Sequence, residues 1–368
     1  MNNGFIAEHR AVPQVIRGVL IAVPVLLLFV ILFSSADLVF QHYVAGLFSF
    51  NVNGELVWRI FWILAVALGF FGLSALISRH HETEPASHQS EPARRSALVE
   101  VTVLLGSLNA LFLIFIFIQL AYLFGGAANV VAGGFTYAEY ARKGFFELIA
   151  VAGLSFLLIF VAERLLLREG QRHSMQFKVL SSALIVQVLI VLVSAFKRLN
   201  LYEGAYGYTS LRLTSHIFIL WLAVVFLALL YKIYADKRES AMAMYMFVSV
   251  IALFVSFNLI NVDGMVVRKN LDRYQVTHKL DVRYMHTLSD DALPQMVVLL
   301  DSSDPKLKQT MAQYLFWRRQ DLLVSDKHWQ SANMTRISAL RTLNAHKALL
   351  DQNRDTLIDP SYRGPGHD

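Results

Sequence analysis

Seven runs of roughly 20 mostly apolar residues dominate this chain, and each is long enough to cross the hydrocarbon core of a bilayer as an α-helix. They cover about Arg17–Phe33, Leu56–Ile77, Leu98–Phe124, Phe145–Leu167, Val179–Phe196, Thr214–Tyr234 and Ala241–Ile260. A backbone in lipid must satisfy its own hydrogen bonds, so runs of this length and composition are helices. The balance of residues agrees: 56% are hydrophobic and only 16% charged, where a soluble domain carries about a quarter. Ser34-Ser35-Ala36 resembles a signal-peptide cleavage site. The run before it is long and six more follow, so it reads as a retained first span. The pattern predicts an all-α fold: a polytopic transmembrane bundle of about seven spans with a small helical soluble C-terminal domain.

Polar sequence divides the chain further. Residues 1–77 hold the first two spans, and 98–262 hold a five-helix bundle. Between them, 78–97 reads as a flexible cytoplasmic linker, because it is polar, proline-containing and without apolar periodicity. It contains His80, His81 and His88, but no carboxylate geometry supports a metal site there, so no metal is expected. The absence of cysteine excludes disulfides and thiolate chemistry. The net charge of +6 comes from basic residues at the ends of apolar runs, where they orient helices. Nucleic acid is therefore not an expected partner, and the lipid bilayer is.

Lys and Arg concentrate on cytoplasmic loops. Arg10, Arg17, Arg79, Arg94, Arg95, Arg164, Arg168, Arg172, Lys178, Lys232, Lys237 and Arg238 fall on one side. Arg59, Arg142, Lys143, Lys197, Arg198 and Arg212 fall on the other. This bias puts the N-terminus in the cytoplasm, and an odd number of spans then puts residues 263–368 outside.

The loops on that outer side carry the richest chemistry. Thr136 with Glu139 has the spacing of a helix-capping box. Tyr137 and Tyr140 suit the membrane interface, and Glu139, Arg142, Lys143 and Glu147 fall at helical contact spacings along this stretch. Lys197, Arg198, Tyr202, Tyr206 and Arg212 follow in the next outer loop, and Asn261 and Asp263 at the end of the last span. The natural pairing sets Glu139, Glu147 and Asp263 against Lys197, Arg198 and Arg212 across helices, because charges at a membrane edge need partners. Two readings follow: structural ion pairs with interfacial anchors, or an outward-facing binding or catalytic pocket. No hydrolase elbow, zinc-protease helix or phosphate-binding loop is present. Ser107, Asn109, Gln119, Gln187 and Asn258 lie inside spans, where polar side chains often bond between helices.

Beyond Asp263 the sequence is soluble in character. Asp290 or Asp291 is placed to start a helix through Leu300 despite Pro294. Asp304-Pro305 starts another, with Leu307, Met311, Tyr314 and Leu315 on its apolar face. A third is expected from Ser325 to Leu350, with Met334, Ile337, Leu340 and Leu343 on one face.

The strings SADLVF, YAEYARKGFFELIAV, KRLNLYEGAYGYTSLRL, NVDGMVVRKNL and LSDDALPQMVVLLD resemble a bacterial membrane-protein family over about residues 17–300. That family is the domain of unknown function numbered four thousand one hundred and seventy-three, formerly grouped with four thousand one hundred and fifty-three. The resemblance implies a bacterial cytoplasmic membrane and no known activity, catalytic residue or cofactor. The leading expectation is a non-enzymatic sensor, scaffold or assembly factor contacting an envelope protein through its outer loops and C-terminal region. The alternatives are an envelope enzyme or lipid-handling protein with an outer-leaflet pocket, and a transporter.

Overall fold

The computed structural model describes residues 3–47, 91–123, 144–168, 174–235, 239–324 and 334–352. Among these the regular structure is entirely helical. The long helices are α1 (Asn3–Ala36), α3 (Glu91–Leu123), α4 (Phe145–Arg168), α5 (Met175–Tyr206), α6 (Ser210–Ala235) and α7 (Glu239–Leu259). A short α2 (Leu38–Leu47) follows α1 directly. Toward the C-terminus come α8 (Val262–Thr277), α9 (Val282–Met285), α10 (Leu293–Met296), α11 (Pro305–Val324), α12 (Met334–Ala345) and α13 (Lys347–Asp351).

Five of the described helices, α1, α3, α4, α5 and α6, are long and apolar enough to cross a membrane. Helix α7 joins α8 at a 58° bend, and the two count as a sixth span if taken together. The protein is a multi-pass membrane protein. The expected second span, Leu56–Ile77, lies outside the described residues. The described parts of the other six apolar runs each fall within a helix, save Ile260 just past the end of α7.

The chain divides into two compact units: Met1–Leu201 with Ile219–Ser249, and Tyr202–Phe218 with Val250–Asp368. In the first, α1 packs along α3. Gly18 makes the close crossing possible, since a Cβ there would come within 3.1–3.2 Å of Val103 and Glu100. Further along, Phe29, Phe33, Phe40, Phe112 and Phe115 interlock, with Phe33 stacked on Phe115 at 3.9 Å. All five rings are buried, so this aromatic column fixes the register of the two helices.

In the second unit, Leu213, Val266, Val267, Met285, Leu293, Met296, Leu300, Met311, Leu315 and Leu343 form one apolar core. Local chemistry sets its helix starts. Asn261 caps α8 by accepting from Gly264 N at 2.6 Å, and Asp281 caps α9 by accepting from Tyr284 N at 2.9 Å. Asp304 accepts from Lys306 N and Leu307 N, and Pro305 begins α11.

Candidate functional site

A transmembrane helix that meets a buried charge must supply it with a partner. In the first unit this happens where α1 stops. Asp37 separates α1 from α2, and its Oδ1 accepts from Val39 N and Phe40 N at 2.9 Å each, capping α2. Its Oδ2 accepts from Arg198 on α5, and the same guanidinium donates to the carbonyl of Ala36 at 2.8 Å. Arg198 is 0% exposed and Asp37 1%, so this is a fully desolvated ion pair closing a helix break. Gly144, at the start of α4, has φ +93°, and a Cβ there would meet the Ala36 carbonyl oxygen at 1.9 Å. One turn later Glu147 accepts from Ser35 Oγ at 3.3 Å. A second buried pair joins Lys232 Nζ of α6 to Glu163 of α4 at 2.6 Å.

In the second unit the turn between α5 and α6 is tied to the C-terminal helices. Ser210 opens α6; its Oγ donates to Asp263 at 2.5 Å, and its N–H donates to Tyr284 Oη at 2.8 Å. The other oxygen of Asp263 accepts from Ser289 N at 2.9 Å. Asn270 bonds the backbone of Tyr208 in both directions, at 2.8 and 2.9 Å. Arg273 donates to the carbonyls of Gly204 and Ala205, completing the C-terminal end of α5. Arg212 donates to the carbonyl of Gly207 and sits 4.0 Å over the Tyr202 ring, a cation–π contact. Tyr202 in turn packs edge-on against Tyr206. His216 Nε2 and Glu203 Oε2 lie 3.0 Å apart in a buried setting. Burial, then the charge of Glu203, pushes the Tyr208 phenol above its usual range, with Arg273 acting against both.

The candidate residues therefore separate. Tyr137, Glu139, Tyr140 and Arg142, with the capping box at Thr136, lie outside the described residues, as do His80, His81 and His88. Arg198 pairs with Asp37 instead of an outer-loop carboxylate. Glu147 takes Ser35, and Asp263 takes Ser210 and Ser289, so neither meets the cations expected for it. Lys197 is partly buried on α5. Tyr202, Tyr206, Arg212, Asn261 and Asp263 do belong to one unit, where Asn261 also donates to the Asp291 carbonyl at 2.9 Å.

Several residues that hold the two clusters together escaped the sequence reading: Asp37, Ser210, Asn270, Arg273 and Tyr284. So did the buried Glu203–His216 and Glu163–Lys232 pairs. A carboxylate or histidine inside or at the rim of an apolar run was the available signal, and it marks Asp37, Glu163 and His216 alike. Among the described residues no group of three or more His, Asp or Glu could hold a metal ion.

Residues 4–299 match the family described as Domain of unknown function (DUF4153), and the chain belongs to it. This corrects the family number suggested by the sequence strings and keeps their reading of an unknown-function family. No curated protein and no solved structure gives a significant match.

Proposed function

We propose that this member of the DUF4153 family is a non-enzymatic protein of the bacterial cytoplasmic membrane. It acts as a sensor, scaffold or assembly factor that engages an envelope protein from the outer face. The N-terminus is cytoplasmic and the C-terminal region extracytoplasmic, as the basic-residue bias supports. The observation that carries the reading is the engagement of Ser210, Arg212, Asn270, Arg273 and Asp263 with partners on the same chain. A network satisfied in this way rigidifies a surface, whereas catalysis needs groups aimed at a substrate. What the network presents outward is Gly204, Ala205, Tyr206 and Leu211, of which Tyr206 is 53% and Leu211 66% exposed. An exposed tyrosine on a rigid turn fits the anchor residues of a protein interface.

A photo-crosslinking amino acid at Tyr206, in living cells, tests this. The expected result is a discrete protein adduct at 206 and none at Leu220, a 58% exposed position within α6. Adducts to lipid alone at both positions would contradict the proposal.

A further inference from the structure

Buried hydroxyls in a transmembrane helix commonly bond back to the carbonyl one turn earlier. Ser107, Ser155 and Ser182 do so, to Val103, Val151 and Lys178. Ser34, Ser181 and Ser194 are buried and do not; their Oγ atoms have no partner among the described residues. The same holds for Asn109 Oδ1, Gln119 Nε2 and Gln187 Oε1. Thr102 Oγ1 is a seventh such atom, and all seven belong to the first unit, on α1, α3 and α5.

Six of the seven share a pattern of placement. Asn109 Nδ2 donates to the carbonyls of Leu105 at 2.7 Å and Leu180 at 3.1 Å, the latter on the residue next to Ser181. Gln187 and Ser194 are seven residues apart and share a face of α5. Ser194 lies one turn before Arg198, and Ser34 one turn before Asp37, so both lead to the buried ion pair. Gln119 lies one turn past Phe115, whose ring stacks on Phe33.

A buried polar atom left without a partner forfeits its hydration with nothing in return, and the large majority of buried side-chain polar atoms in native proteins have a partner. Seven in a single membrane bundle call for a ligand. Its chemistry follows from the atoms. A cation would need acceptors only, and an anion donors only. Here two amide oxygens accept, one amide nitrogen donates and four hydroxyls do either. Water meets that mixture, making about three bonds per molecule.

The geometry points to a polar seam along α1, α3 and α5 that binds water inside the membrane and reaches the Asp37–Arg198 pair. The seam goes beyond the outer-face interaction reading and is independent of it. It assigns the bundle a hydrated interior of the kind that proton or polar-solute movement requires, ending at a charged pair.

Radiolytic hydroxyl-radical footprinting of the unaltered full chain in lipid vesicles tests it, because bound water generates the radical in place. Leu184 lies between Ser181 and Gln187, and Val191 between Gln187 and Ser194; both are 0% exposed. Leu229 of α6, also 0% exposed, is the dry reference. After correction for residue reactivity, the seam predicts several-fold greater oxidation of Leu184 and Val191 than of Leu229. Oxidation no greater than at Leu229 overturns the proposal.

Discussion

Arg198 shows how much a single side chain can hold in a membrane protein. Removing one member of a buried ion pair strands the other in a medium that cannot solvate it, at a cost of about 3–5 kcal/mol. Arg198→Leu should therefore lower the thermal stability of the purified protein by that amount. The double replacement Asp37→Leu, Arg198→Met should recover much of the loss, because no uncompensated charge remains. Additive losses in that pair of variants would show that the two residues do not act together. The sequence made half of this visible. A carboxylate just after an apolar run announces that a partner exists, but nothing in local periodicity says that the partner sits 161 residues away. The same blindness explains why Glu147 and Asp263 were set against cations. Charge sign suggested those pairings, whereas Ser35, Ser210 and Ser289 supply the bonds.

Helices were more legible than contacts. Asp304-Pro305 reads as a helix start and is one, and Leu307, Met311 and Leu315 face the core as their spacing predicts. The stretch from Asp290 to Asp301 is instead broken into a 3-10 turn, a single α-turn at Leu293–Met296 and a second 3-10 turn. Pro294 lies inside the short α-turn, where it cannot donate a hydrogen bond. On α12, Leu343 is buried but Met334 and Ile337 are exposed, so the predicted apolar face is only partly used. The docking of α9 onto α11 rests on a feature no pattern reveals. His286, just past α9, stacks on Tyr314 of α11 at 3.9 Å. Burial pushes its imidazole down to about 4 from 6.5, and burial likewise raises the Tyr314 phenol, next to the Arg318–Asp290 pair. The unfolded chain therefore takes up a proton near pH 6.5 that the folded chain refuses until about pH 4. Stability from this contact is complete above pH 6.5 and falls as the pH drops toward 4. His286→Phe keeps the stacked ring and removes the titration. Its melting temperature should then fall less between pH 7 and pH 4.5 than that of the unaltered protein. Equal losses in both proteins would rule this group out as a source of acid sensitivity.

At the scale of the whole molecule, hydropathy and length were enough to establish a multi-pass helical membrane protein, because lipid leaves the backbone few alternatives. The polar strings that resemble the family turned out to build tight internal ties: SADLVF supplies Asp37, KRLNLYEGAYGYTSLRL supplies Arg198, Ser210 and Arg212, and NVDGM supplies Asn261 and Asp263. All eight described candidate outer-face residues, Glu147, Lys197, Arg198, Tyr202, Tyr206, Arg212, Asn261 and Asp263, engage partners within the chain. The same residue types serve a reaction or a framework with no difference in sequence, so the motifs by themselves name no activity. The partition of the chain adds what periodicity could not. The turn at Tyr202–Phe218 belongs to the same compact unit as the C-terminal helices, so the proposed interaction surface and the C-terminal region must share one side of the membrane. The absence of cysteine makes this directly measurable. Single cysteines at Ala205, Met334 and Ser240, labelled in intact cells with a membrane-impermeant thiol reagent, should react at 205 and 334 and stay unreactive at 240. Labelling at 240 with protection at 205 and 334 would invert the topology and remove the basis for an outer-face partner.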